Sequence, residues 1–224
     1  MRLKNFEHAI GATLAGELAM RSAIGEGKIE IVVDGYAGHG FGFGATNGMK
    51  LRMKGYVNDA VGEAMSGDAS IVVVPPQKSV DGKVRHLVGN AAAYGATGGN
   101  LFVAGKAGQR FGVRNSGAIL VCEGVGKYAF EYMTGGTGVV LGRCGRCLGS
   151  GMTGGELYIY DSNDDAPTYL HPDVCSKAIK LTEERGRMLR KILEEYFKET
   201  KSPLAGQILK NWTEEIARFV YICQ

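Results

Sequence analysis

Tyr94-Gly95-Ala96-Thr97-Gly98-Gly99, followed by Asn100-Leu101-Phe102-Val103-Ala104-Gly105, is a turn of small residues leading into a short apolar run. The same order returns three times. Val113-Arg114-Asn115-Ser116-Gly117 leads into Ala118-Ile119-Leu120-Val121-Cys122-Glu123-Gly124, and Tyr132-Met133-Thr134-Gly135-Gly136 into Thr137-Gly138-Val139-Val140-Leu141-Gly142. Gly151-Met152-Thr153-Gly154-Gly155 then leads into Glu156-Leu157-Tyr158-Ile159-Tyr160-Asp161. The anchoring glycines Gly99, Gly117, Gly136 and Gly155 stand 18, 19 and 19 residues apart. Gly48 and Gly67 repeat the step upstream, and an insertion with Pro75, Pro76 and a polar loop near Asp81-Gly82 separates them from Gly99.

A period near 20 with one short β-rich run per unit is the pattern of a solenoid. The runs Ala118–Val121, Val139–Leu141 and Leu157–Tyr160 are too short for helices and rich in β-branched or aromatic residues. No stretch of about a dozen residues between them could serve as a crossover helix, which excludes an ordinary α/β sheet. A coil of three short faces consumes about this many residues. Its corners need positive φ and small side chains, because coils stack at the roughly 4.8 Å strand spacing. The expected fold is therefore mainly β, a right-handed parallel β-helix with coils of about 19 residues.

Composition supports the division of the chain. Of 35 glycines in 224 residues, only Gly186 and Gly206 follow Leu170, while the residues after it are rich in charge. This predicts a glycine-rich β-helix over 1–170 and a helical tail over 171–224. In the tail, Thr182 can cap a helix with the stripe Met188, Leu189, Ile192, Leu193, Tyr196 and Phe197. Ser202-Pro203 reads as an N-cap followed by proline at the first helical position. The second helix is expected to bury Leu204, Ile208, Leu209 and Trp212 and to continue through Ile216 and Phe219. These helices are expected to pack on the solenoid, where they could cap its open end, or on a partner, with Gly11–Ile24 as a short helix serving the other end.

The composition also excludes function classes. With 45% apolar and 22% charged residues, the chain is neither disordered nor membrane-spanning. A net charge of +3 without a basic block argues against a nucleic-acid partner. The N-terminus lacks the apolar region of a signal peptide, and five cysteines do not make a secreted disulfide framework, so the expected location is cytoplasmic.

Each motif with chemical potential fails on context. Gly124-x-Gly126-x-x-Ala129 follows a strand as a dinucleotide loop does, but the next unit arrives before any helix could form. Gly99 to Lys106 is one residue too long for a P-loop, and Ala107 replaces Ser/Thr. Gly38-x-Gly40-x-Gly42-x-Gly44 fits no phosphate motif and reads as small residues in a crowded coil. Cys144-Gly145-Arg146-Cys147 has knuckle spacing without a second pair, and Cys122, Cys175 and Cys223 are isolated. His8, His39, His86 and His171 are scattered. Asp161, Asp164 and Asp165 share one loop before Pro167 and read as a solvated turn. No catalytic, cofactor-binding or metal residue is assigned.

The repeat units resemble the C-terminal glycine-rich β-helix domain of the glutamate synthase large chain. Tyr94–Thr97, Val113–Ala118, Val121–Gly126, Glu131–Gly136 and Gly151–Gly155 look like that family's sequence stretches, as do Asn58–Gly67 and the opening segment Ile10–Glu17. Lys201 stands where that family usually shows glycine. The resemblance implies a non-catalytic structural subunit of a split glutamate synthase, starting at Met1. Its partners would be glutaminase and FMN/iron–sulfur synthase subunits, with no cofactor in this chain itself and with Cys144 and Cys147 inheriting no ligand role. Apolar faces of the tail, left uncovered in the isolated chain, would supply binding energy, and self-association end to end is left open. The alternative is a resemblance to the glycine-rich β-helix subunit of formylmethanofuran dehydrogenase; the helical tail, Thr200–Ala205 and Ile208–Trp212 above all, separates the two. An independent carbohydrate-active β-helix enzyme is a third reading, disfavoured by the lack of a carboxylate face.

Overall fold

In the computed structural model the described residues are 2–4, 7–21, 28–76, 84–175, 178–179 and 181–224. Their first elements are β1 (Arg2–Leu3), α1 (Ala12–Arg21), β2 (Ile29–Ala37), β3 (Met49–Val57), β4 (Ser70–Val74) and β5 (His86–Val88). There follow β6 (Asn100–Val103), β7 (Lys106–Ala107), β8 (Ser116–Cys122), β9 (Thr134–Val140) and β10 (Gly154–Tyr160). The remainder are α2 (Pro172–Cys175), β11 (Ala178–Ile179), α3 (Glu183–Thr200), α4 (Pro203–Lys210), α5 (Trp212–Glu215) and β12 (Phe219–Cys223).

Strands β2, β3, β4, β6, β8, β9 and β10 lie side by side in parallel, and the chain winds as a β-solenoid of about six turns. Ile29 sits beside Met49, Lys50 beside Ser70, Ser70 beside Asn100, Asn100 beside Ile119, and Thr137 between Ile119 and Glu156. The residue level with Gly99 is thus Ala118, one past the anchoring Gly117. An irregular register between Ser116 and Ile119 takes up the difference against β9. At the bend after the first face, a Cβ on Gly55 would lie 2.0 Å from the Gly35 carbonyl oxygen, so the two coils meet backbone to backbone there. Beyond it, Val57 pairs with Val88 of β5, and β5 with β7, to make a second face.

Alternate strand residues, among them Leu51, Met53, Ile71, Val73, Leu101, Val103, Leu120 and Leu157, fill the interior. The residues between them, Val72, Phe102, Val121, Val139 and Tyr158, face outward and are buried under the tail. Both sides of this sheet are covered, which is why its strands read as continuous apolar runs rather than alternating ones. At the N-terminal end, Ala15 and Leu18 of α1 join the interior, and β1 pairs in parallel with β2. Ile24, the end of the helix expected over Gly11–Ile24, lies outside the described residues.

The tail begins as its caps predict. The Thr182 hydroxyl accepts the Arg185 N–H at 3.3 Å, and Ser202 accepts the Ala205 N–H at 3.2 Å with Pro203 opening α4. Two expectations need correction. The tail helices lie along the outer face of the sheet instead of over an open end, and Leu189, Leu193 and Tyr196 are fully buried there. The apolar stripe is consequently spent largely on the solenoid; Ile192 is half-buried, and Met188 and Phe197 on its flanks stay exposed. The second correction is that the helical continuation stops short. After a 3-10 turn at Ile216–Arg218, Phe219 opens β12, which runs antiparallel to β10 and carries β11 on its other side. Phe-Val-Tyr-Ile-Cys is a run of strand formers, short enough that periodicity cannot separate strand from helix. It covers the edge of the last coil.

Candidate functional site

One corner of the solenoid has an unusual backbone. Three alternate residues take positive φ in every coil: Gly40, Gly42 and Gly44, then Ala60, Gly62 and Ala64, then Ala91, Ala93 and Gly95. The series goes on through Arg110, Gly112 and Arg114, then Tyr128, Phe130 and Tyr132, then Cys147, Gly149 and Gly151. The residues after the first of each trio, Phe41, Val61, Ala92, Phe111, Ala129 and Leu148, all point inward and are fully buried. Hydrogen bonds alternate in direction. The Gly62 N–H donates back to the Phe41 carbonyl, while Ala60 and Ala64 donate forward to Asn90 and Tyr94. The same rule holds for Phe130, which donates back to Phe111, and for its neighbours Tyr128 and Tyr132, which donate forward to Arg146 and Ser150. Left-handed φ on a residue with a Cβ costs on the order of 1–2 kcal/mol, so this ladder and the inward packing hold several strained residues in place.

The outer side of that corner forms a ridge. Tyr94, Tyr128 and Tyr132 are exposed on it, with Phe43 on the first coil. Arg110, Arg114, Lys127, Arg143 and Arg146 are exposed on the last three coils.

The second feature is the joint between tail and solenoid. Glu123, at the end of β8, is buried under the start of α4. The Ser202 hydroxyl donates to its carboxyl, and the Tyr196 hydroxyl donates to the Val103 carbonyl at 2.9 Å with Glu123 Oε1 at 3.3 Å. Burial raises the Glu123 pKa above the ordinary glutamate value, against the opposing pull of the Ser202 and Tyr196 hydrogen bonds. The carboxyl is closed off by these groups and acts as a clasp. Further along, Arg52 pairs with the Glu199 carboxylate and donates to its carbonyl at 2.8 Å. Glu156 pairs with Arg185 and accepts the hydroxyls of Tyr158 at 3.0 Å and Tyr221 at 3.1 Å. Tyr160 donates to Glu215 at 2.6 Å, beside Arg218.

The motifs weighed from sequence fall into this frame. The segment after Gly124-x-Gly126 is a coil corner followed by β9, with no helix to receive a pyrophosphate. Gly99 to Lys106 runs through β6 into β7. Gly40, Gly42 and Gly44 are the first trio of the ladder. Cys147 begins the last trio, and Cys144 Sγ lies 3.6 Å from the Gly142 carbonyl, its pKa raised by burial. Among the described residues no three His, Cys, Asp or Glu side chains are grouped to hold a metal ion, and all five cysteines are free. Asp161 accepts the N–H groups of Asp165 and Ala166, both at 2.9 Å, and so shapes the turn that carries Asp164 and Asp165. Sequence reasoning missed one pairing: His8 and His39 stack with ring centroids 5.4 Å apart, and Asp59 lies 4.0 Å from His39. Only the coil register, which no spacing rule encodes, brings them together.

Residues 1–224 match the family described as GXGXG motif, a name that spells the first trio of the ladder. The chain is 39% identical over 221 residues to ferredoxin-dependent glutamate synthase 2 of Synechocystis sp., covering 97% of this chain and 14% of that protein. It is 39% identical over 220 residues to the glutamate synthase [NADPH] large chain of Azospirillum brasilense, covering 96% and 14%. With the chloroplastic ferredoxin-dependent glutamate synthase of Spinacia oleracea it shares 37% over 224 residues, covering 98% and 14%. The chain therefore spans about one-seventh of the length of these curated relatives.

Proposed function

Because this chain belongs to the GXGXG motif family, as a glutamate synthase domain, we propose that it is the non-catalytic structural subunit of a split glutamate synthase. In this reading it holds glutaminase and FMN/iron–sulfur synthase chains in register in the cytoplasm, so that ammonia released from glutamine reaches 2-oxoglutarate without escaping. The observation that carries the reading is the extent of the match, which runs from the opening segment through the helical tail. The tail is the segment that distinguishes this reading from the β-helix chain of a formylmethanofuran dehydrogenase. The architecture suits a spacer, with a packed interior, an outer face sealed by α3 and a buried carboxyl used as a clasp. In this reading flavin and iron–sulfur chemistry belong to the partner chains. Relatives named for ferredoxin and for NADPH are equally similar here, so donor choice is assigned elsewhere as well.

The test is to purify the full chain under gentle conditions from its native cytosol and record the visible spectrum and the partner masses. The expected result is a yellow-brown complex with flavin and iron–sulfur absorbance that forms glutamate from glutamine, 2-oxoglutarate and a reduced donor. A colourless chain recovered alone at low salt would overturn the reading. Molybdenum or tungsten in the complex would transfer it to the dehydrogenase alternative.

A further inference from the structure

Between residues 84 and 155 the sequence has seven Lys/Arg and only two carboxylates, Glu123 and Glu131. Glu123 is consumed by the tail clasp. The outer face of the sheet in this stretch is sealed by the tail, so the exposed charge is concentrated on the corner ridge and the bend beside it. There the cations fall on three consecutive coils, with Tyr128 level with Arg110 and Tyr132 level with Arg114. Arg110 donates its N–H to the Lys127 carbonyl, Tyr128 to Arg146, and Val125 to Arg143, while Arg114 bonds to Glu131 and Tyr132 to Ser150. Arg110, Arg114, Lys127, Arg143 and Arg146 are all exposed.

The arginines of this surface differ from those at the tail. Arg52, Arg185, Arg187, Arg190 and Arg218, on or against the tail, each meet a carboxylate. Among the described residues none of the five ridge cations does. Like charges gathered on neighbouring coils repel one another, and such a cluster is relieved when opposite charge is brought to it. The tyrosines beside them are suited to a protein contact. Tyr132 lies over Gly151, where a Cβ would be 2.5 Å from its ring, so the ring is already positioned and loses little freedom on binding. Tyrosine and arginine together are the chemistry enriched where protein interfaces bind most tightly.

We propose that this ridge, formed by Arg110, Arg114, Lys127, Arg143 and Arg146 with Tyr128 and Tyr132, docks a carboxylate-rich face of a glutamate synthase catalytic chain. The proposal rests on the scaffold reading above and names its contact surface. Charge along the ridge favours a protein over a nucleic acid. Its earlier coils carry Asp59 and Glu63 on the same corner, so a phosphate backbone laid along it would run from cations onto carboxylates. A compact acidic patch on a protein can sit on the cationic coils alone, where Glu131 is the one remaining carboxylate of the stretch.

The experiment uses the full chain and the purified catalytic chains of its own organism, with the dissociation constant measured at low and high salt. Wild type is compared with Arg110→Glu/Arg146→Glu, and with Arg187→Glu/Lys191→Glu on the exposed side of α3 as a control. Thermal melts show that each variant is folded, and Arg110→Gln/Arg146→Gln supplies a milder pair without charge reversal. The expected result is salt-sensitive wild-type binding that weakens at least about 10-fold in the ridge reversal, less in the glutamine pair, and under about 2-fold in the control. Ridge variants that bind like wild type overturn the proposal and leave the scaffold reading standing. So does loss confined to duplex-DNA binding or to self-association, with the catalytic complex unchanged. A wild-type chain that binds no catalytic chain at any salt overturns both.

Discussion

The Phe130 ring occupies the space that a side chain at Gly138 would fill: a Cβ there would lie 2.5 Å from the ring's Cε1. In the register of the sheet, Gly138 stands between Leu120 and Leu157, in a column continued by Leu101, Ile71 and Leu51. Phe130 in turn stands in the corner column where other coils place Gly42, Gly62, Ala93, Gly112 and Gly149. The fifth coil has exchanged its large and small positions, and keeps the interior filled.

Gly138→Ala is therefore expected to cost about 1–3 kcal/mol by overpacking. Phe130→Ala is expected to cost about 3–5 kcal/mol. Gly138→Leu placed on top of Phe130→Ala should recover part of that loss. Urea unfolding of the single and double variants measures the coupling, and additive costs would show that the two positions do not share the space.

Glu123 links stability to pH. Its folded-state pKa is raised, chiefly by burial, so the protonated form is favoured in the fold. Stability from this group is fully present below the ordinary glutamate pKa of 4.5 and is lost as pH rises through the folded value. Glu123→Gln should flatten the melting temperature across that window while the wild type declines. An unchanged slope in the variant would move the effect to other groups.

Lys201 caps α3 with φ 56°, a left-handed position at which glycine is favoured, and its Nζ lies 5.7 Å from the centre of the Phe197 ring. Removing the Cβ relieves about 1–2 kcal/mol of strain, against about 0.5–1 kcal/mol for the lost cation–π contact. The melting temperatures should rank Gly above Lys above Ala at this position, because Lys201→Ala keeps the strain and loses the contact.

The thiols should differ sharply in reactivity. Burial pushes Cys122 up to about 12 and raises Cys144 as well, whereas Cys223 is exposed. At about pH 8 a thiol like Cys122 is ionised in roughly one molecule in ten thousand. Iodoacetamide followed by peptide mass mapping should find Cys223 modified in the native chain, and Cys122 and Cys144 only after denaturant. Native labelling of Cys144 at the Cys223 rate would mean that its corner opens.

Much of this fold is legible in the residues. Glycine turns before short apolar runs gave the coil, and Thr182 and Ser202-Pro203 gave the helix starts. What stayed hidden depends on neighbours distant in sequence. Arg110, Tyr128 and Phe130 are poor candidates for left-handed φ by intrinsic preference, yet the ladder imposes it on all three. Phe219–Cys223 is a strand because β10 offers it an edge. The stripe on α3 promised a binding face, but Val72, Phe102 and Val121 already occupy it. The ridge cations show as nothing in the chain's small net charge; only stacking the coils gathers them.

A solenoid lengthens readily by duplicating a coil, but this one has its height fixed. Arg185, near one end of α3, is tied to Glu156 on β10, and Glu199, near the other, to Arg52 on β3. Those helix positions lie about 21 Å apart, and the five sheet steps from β3 to β10 cover about 24 Å. An added or deleted coil shifts one anchor by about 4.8 Å, and then only one end of the helix can be tied. The helix thus works as a ruler matched to the present number of coils.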